Sequence, residues 1–247
     1  TGPLSAKAGH DINYMALSGA ASYTGRTGEK PLPLGLQVAD IAGGSHHTVI
    51  GILAAVIDRS RTGNGQHVDI SMTDASFAMN AITGEVALAT GNDPEPEKTP
   101  LNGGSFYDYY ACADGKYLSL GGLEPQFIQA LSTILERPDL FELIDITNHE
   151  KQQKLKAELS ALFATKDRET WLNLFEGHDV CIEPVLSITE AAAHPQLIAR
   201  EMVLTYRTKE GTAIKQAASP IKFSNSDQEK PAPAPKGDED TETFIND

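Results

Sequence analysis

Three short stretches carry side chains of the kinds that do chemistry. In Gly9-His10-Asp11-Ile12-Asn13-Tyr14 an imidazole and a carboxyl stand side by side after a glycine, just ahead of a short apolar run. A lone histidine more often serves structure than chemistry, but this one sits in a dense polar cluster beside a helix start. In Val38-Ala39-Asp40-Ile41-Ala42-Gly43-Gly44-Ser45 an aspartate closes an apolar stretch, and two glycines and a helix follow. Glycines let a ligand approach the backbone, and a helix N-terminus offers unpaired N–H groups with partial positive charge. The alternative is an Asp40 that only caps the turn. In Gly121-Gly122-Leu123-Glu124-Pro125-Gln126-Phe127 the carboxylate of Glu124 either joins a site or merely complements a helix dipole. The adjacent pair His46-His47 lacks the i, i+4 spacing of a shared metal face and reads as first-turn polarity. No GxSxG elbow, phosphate loop or GxGxxG fingerprint occurs.

The elements that must position these residues follow from periodicity. Val49, Ile50, Leu53, Val56 and Ile57 recur at helical spacing, with Ser45 as the expected N-cap and Gly63 as the stop. His67–Met72 alternates and predicts a strand. A helix is expected over 73–90 with Gly91 ending it, followed by the proline-rich linker Asn92–Pro100. A hairpin is expected at Asp114-Gly115, then a helix opened by Pro125, where a missing N–H costs nothing. Further helices are expected at 149–164 and 168–176, the second capped by Asp167, and Ser187 with Glu190 forms a capping box. A second hairpin is signalled at Glu210-Gly211. The polar, proline-rich close from Ser226 reads by composition as a disordered tail.

Composition bounds the partners. The 247 residues are 40% hydrophobic and carry a formal net charge of -14. That acidity excludes nucleic acid, whose phosphates need clustered Lys and Arg, and an anionic membrane surface. No unbroken apolar run reaches the ~18 residues of a membrane span, so no membrane partner is expected. Cys112 and Cys181 are expected to be free, buried thiols in a reducing, cytoplasmic setting. They form no zinc-ligand spacing.

GHDINY, LQVADIAGG running into GILAAVIDRSRTGNGQHVDISMTDA, and YYACADGKYLSLGGLEPQF, in that order, resemble the α-methylacyl-CoA racemases of the class III CoA-transferase family (CaiB/BaiF-like). The likeness extends through PIKF and PAPAPKGDEDTET, and so implies that the close returns to a large domain. The resemblance implies an α/β fold: the remainder of a Rossmann-like large domain at 1–72, helix and linker at 73–104, a smaller α+β domain at 105–200, and a returning segment at 201–247. It also implies a fragment that lacks the N-terminal Rossmann-like half, where most coenzyme A contacts lie, and an interlocked homodimer.

For function, the resemblance implies inversion at the carbon beside a thioester carbonyl through an enolate. A single base tends to return a proton to the face it came from, so two flanking groups suit the task. Residue by residue these are His10 and Asp40, with Glu124 interacting with His10 and Asp40 buried. Gly9, Asp11, Ile12, Asn13, Tyr14, Ile41 and Gly43 become substrate-binding positions, with backbone N–H groups of Asp40, Ile41 and Gly43 expected to stabilise the enolate. Coenzyme A is part of the acyl-CoA substrate, and no metal or redox cofactor is implied. Two rivals stand beside this. One is a CoA-transferase in which Asp40 is the nucleophile. The other is an inactive dimerisation module.

Overall fold

A computed structural model describes residues 1–208 and 211–225. The chain divides into two compact units, Thr1–Pro184 and Val185–Asp247.

The first unit opens with helix α1 (Asp11–Leu17), which starts where His10 leaves extended backbone. After the Gly- and Pro-rich segment, a wide π-helical turn, Ala39–His46, runs directly into α2 (His47–Thr62), which Gly63 stops with φ 76°. The helix therefore starts before Asp40, and Ser45 lies inside it instead of capping it. Its first N–H groups find an acceptor elsewhere, so no local cap is required.

Ala39–Thr62 together form a 24-residue helix that is long and apolar enough, by length and composition alone, to cross a membrane. Its sequence still holds no unbroken apolar run of ~18 residues. Gly51 and a few polar residues interrupt the run without breaking the helix.

The segment 66–70 is not a strand, and it pairs with no other strand among the described residues. A strand needs a ladder partner, and alternation alone supplies none. Its Val68 and Ile70 instead lie against Gly51 of α2. The expected helix over 73–90 is two helices, α3 (Met72–Ala78) and α4 (Thr83–Thr90). Asn80 interrupts it: its side-chain amide donates to the carbonyls of Ser18, Ser76 and Phe77, the local competition that ends helices at Asn.

Strands β1 (Asp108–Ala111) and β2 (Tyr117–Leu120) form the expected hairpin, with Ala111 opposite Tyr117 and Gly115 at φ 73° in the turn. Strand β3 (Ile182–Pro184) adds to β2, giving the antiparallel order β1-β2-β3. Helices α5 (Pro125–Ile134), α6 (His149–Phe163) and α7 (Arg168–Phe175) supply the rest of the core. Asp167 caps α7 through the Thr170 N–H. The core is a continuous cluster of Tyr110, Leu118, Ile128, Leu155, Phe163 and Trp171 with their neighbours. Its polar atoms are satisfied: Tyr110 Oη donates to Phe106 O at 2.6 Å, and Trp171 Nε1 to Phe163 O at 2.9 Å. Cys112 is buried and free, as expected, whereas Cys181 is free but exposed.

The second unit holds α8 (Ile188–Ala193), opened by the Ser187–Glu190 capping box, then α9 (Pro195–Ala199) and the antiparallel pair β4 (Val203–Arg207) and β5 (Ala213–Ala217). The pair matches the hairpin expected at Glu210-Gly211, although Glu210 itself lies outside the described residues. The tail expected from Ser226 onward also lies outside them.

Candidate active site

Asp11 sits in the first turn of α1 and aims its carboxylate at the first turn of the Asp40 helix. Its Oδ1 accepts from the Ala39 N–H at 2.6 Å and from the Asp40 N–H at 3.1 Å. Two backbone donors that a helix start leaves orphaned are thus satisfied by a residue 28 and 29 positions earlier. The charge also complements the positive end of the helix. One carboxylate therefore fixes the spacing between the His10 and Asp40 segments. On the other side of His10, the side-chain oxygen of Asn13 accepts from the His10 N–H at 3.1 Å and holds the entry to α1.

The result is a shared cavity of about 470 Å³ with His10 and Asp40 both in its wall. Asp11 and Ile12 complete one side, and Leu32, Leu34, Met15 and Gln37 form much of the rest. Both His10 and Asp40 are exposed, so the burial expected for Asp40 is absent. Pro31–Leu34, which forms this wall, is not among the residues that the sequence singles out. Its signal is two leucines alternating with prolines in a segment without regular secondary structure, where both leucines stay exposed.

The remaining expected site residues fall elsewhere. Gly9, Asn13 and Tyr14 line a different cleft of about 820 Å³, together with Ser5, Lys7 and Ser71. Ile41 is exposed and Gly43 is buried against α3, where an added Cβ would stand 3.3 Å from Met72 O. Neither lines the His10–Asp40 cavity. The backbone donors expected for an enolate are in part already used: the Asp40 N–H goes to Asp11, and the Ile41 N–H donates to Gln37 O at 3.0 Å. That correction has the same cause as the displaced cap, a helix that begins ahead of Asp40. Glu124 is the exposed N-cap residue of α5, and no hydrogen bond or ion pair joins it to His10 among the described residues.

A half-buried ion network lies outside the His10–Asp40 cavity and anchors the segment between Thr24 and Pro31, two of its lining residues. Arg26 makes a bidentate pair with Asp108, both bonds at 2.7 Å, and reaches Glu97 at 2.8 Å. Lys156 Nζ lies 2.9 Å from the same Asp108. Burial alone would raise the Asp108 carboxyl, but the bonds from Arg26 and Lys156 outweigh it and hold the group down at about 2. Through Arg26 the loop leading to Leu32 is tied to β1 and α6.

Residues 1–241 match the model of CoA-transferase family III. The chain is 37% identical over 190 residues to the human alpha-methylacyl-CoA racemase, covering 76% of this chain and 49% of that protein. It is 29% identical to the succinate–glutarate CoA-transferase of Agrobacterium fabrum, over 96% of this chain and 60% of that one. A crystal structure of a CAIB/BAIF family protein from Brucella suis superposes with a TM-score of 0.77 at 26% identity, covering all of this chain and 64% of the other. The chain thus spans about half the length of the racemase it matches. With the matched region taking in His10, Asp11, Asp40 and Glu124 alike, the chain belongs to CoA-transferase family III.

Proposed function

We propose that the protein interconverts the (R) and (S) forms of 2-methylacyl-CoA thioesters by 1,1-proton transfer. The observation that carries this reading is the pair His10 and Asp40 in the wall of one cavity, with Asp11 spanning the two segments. One of the pair takes the proton from the carbon beside the thioester carbonyl. The C–H electron pair becomes the enolate, with charge on the thioester oxygen. The other returns a proton to the opposite face. One C–H bond breaks and one forms, so no electrons enter or leave and the chemistry calls for no metal or redox group. Coenzyme A arrives as part of the substrate. We place the reaction in a cytoplasmic homodimer; the two free thiols fit a reducing compartment.

A second reading is supported by the 29% identity to a CoA-transferase over nearly the whole chain and by the exposure of Asp40. Here the Asp40 carboxylate attacks the thioester carbonyl, the coenzyme A thiolate leaves, and a mixed anhydride forms on Asp40. The histidine in the same cavity wall favours the first reading.

The two separate in one experiment on the full-length protein. In D2O the racemase reading expects α-deuterium incorporation into a 2-methylacyl-CoA. Loss of racemisation by about a hundredfold or more is expected in both His10→Ala and Asp40→Asn. Undiminished racemisation in either variant sinks it. Recovery of Asp40 as its hydroxamate after hydroxylamine treatment, with the acyl group released as the carboxylate, selects the transferase.

A further inference from the structure

The wide turn that carries Asp40 is held from its C-terminal side by two side chains. Two successive glycines, Gly43 and Gly44, give this stretch little helical preference of its own, since each costs about 1 kcal/mol against Ala in a helix interior. Nevertheless Ala39–His46 is a regular π turn. Ser45 Oγ donates to Asp40 O at 3.1 Å, and the His47 ring Nδ1 lies 2.6 Å from Ala42 O. Both reach back five residues, the offset of the wide turn and not of the α turn. Because a carbonyl only accepts, Nδ1 of His47 carries the proton. Meanwhile the His47 backbone N–H donates to Gly44 O.

On its inner side the turn packs closely against α3. A Cβ at Gly43 would meet Ser76 Oγ at 3.2 Å and Met72 O at 3.3 Å. At its start Asp11 holds the N–H groups of Ala39 and Asp40. Neither Ser45 nor His47 lines the His10–Asp40 cavity, so neither is placed to touch a substrate there.

We infer that Ser45 and His47 are positioning residues that lock the widened turn and thereby set the direction in which Asp40 meets the substrate carbon. The inference rests on the racemase reading above. Without the two side-chain bonds the turn is free to tighten toward α spacing, which turns Asp40 away from its place in the cavity wall. His10, on α1, is untouched by that change. The two faces of the reaction should therefore respond unequally, which a general loss of stability would not produce.

The test measures α-proton washout in D2O from each enantiomer of a 2-methylacyl-CoA separately, using the full-length protein. Asp40→Asn identifies the enantiomer whose proton passes to Asp40. The double variant Ser45→Ala/His47→Ala is expected to slow washout from that same enantiomer about tenfold to a hundredfold, the range for an ångström-scale misplacement, and the other by less than about twofold. Ser45→Thr, which keeps a hydroxyl, should behave as the unaltered protein. Equal slowing of both enantiomers, or none, overturns the inference while leaving the racemase reading intact. If Asp40→Asn slows neither enantiomer, both fall. Should the double variant not fold, Ser45→Ala alone, the removal of one hydroxyl from an exposed residue, decides by the same asymmetry.

Discussion

Between Phe106 and Val180 fourteen buried hydrophobic residues form one continuous cluster; between Thr1 and Gly91 the buried hydrophobic residues are Ala39 and Ala75. The first stretch has an interior in which Phe163 packs edge-on to Trp171 at 5.3 Å and Trp171 stacks on Phe175 at 6.0 Å. In the second, α2 buries none of its residues, and Ile57 is 70% exposed. A helix apolar on all sides normally belongs inside something, so the region with the candidate chemistry is not the region with the core. Its geometry comes from discrete polar ties: Asp11 onto the Asp40 helix, Tyr23 Oη onto Asn80 at 2.6 Å, and Arg26 onto Asp108. Hydrophobic burial specifies a shape only loosely, whereas hydrogen bonds specify direction. A proton-transfer site needs the latter.

The comparison is broken most directly by truncating one large side chain in each region of the 247-residue chain. Trp171→Ala is expected to cost about 3–5 kcal/mol, because it empties a fully buried site. Ile57→Ala on α2 is expected to change stability by less than about 0.5 kcal/mol, the ordinary range for a surface position. Urea denaturation followed by far-UV circular dichroism measures both. Comparable losses from the two variants would mean that α2 is buried in solution and that the contrast is false.

How much of this could be read beforehand differs between the regions in the same way. Pro125 at the start of α5, Asp167 as a cap, the Asp114-Gly115 turn and the Ser187–Glu190 box are local rules. Each depends on residues within a few positions, so the sequence displays them. The membership of His10 and Asp40 in a common site was legible only through a family resemblance, since nothing in thirty residues of separation reveals proximity. The role of Asp11 was missed because it is a tie between segments: an aspartate beside a histidine looks like a site residue until its acceptors' partners are known. The strand expected at His67–Met72 failed for a related reason, because alternation reports half-burial but cannot report a ladder partner.

A second, smaller effect sharpens the comparison at the seam where polar ties meet the core. Asp108 has a side chain 9% exposed and is held down at about 2 against an ordinary value near 3.8. Its folded pKa lies below its unfolded one, so its contribution is complete above pH ~4 and is lost as pH falls through about 4 to 2. The folded state binds fewer protons in that window, and stability rises with pH there. The size is about 2 kcal/mol. Unfolding free energies measured from pH 6 down to pH 2 should show that decline. Asp108→Asn should flatten it by a comparable amount while lowering stability at pH 6. An unchanged slope in the variant would move the acid sensitivity to other carboxylates and leave Arg26 a surface contact.

The smallest effect lies in backbone strain on the core side. Cys181 stands just ahead of β3 with φ 52°, a left-handed conformation that a side chain disfavours by about 1–2 kcal/mol. The fold imposes it because the Cys181 carbonyl accepts from the Gly121 N–H at 3.0 Å and so brings β3 into register with β2. Replacing Cys181 with Gly keeps that hydrogen bond, removes the strained Cβ and adds chain entropy to the unfolded state. These terms oppose, but at a positive φ the relief exceeds the entropy, so Cys181→Gly should stabilise the chain by about 0.5–1 kcal/mol. Cys181→Ala keeps the Cβ and should leave stability unchanged within about 0.5 kcal/mol. If Ala stabilises as much as Gly, the thiol and not the backbone carries the cost. The difference between the two variants in denaturant midpoint is therefore the quantity that assigns the strain to φ.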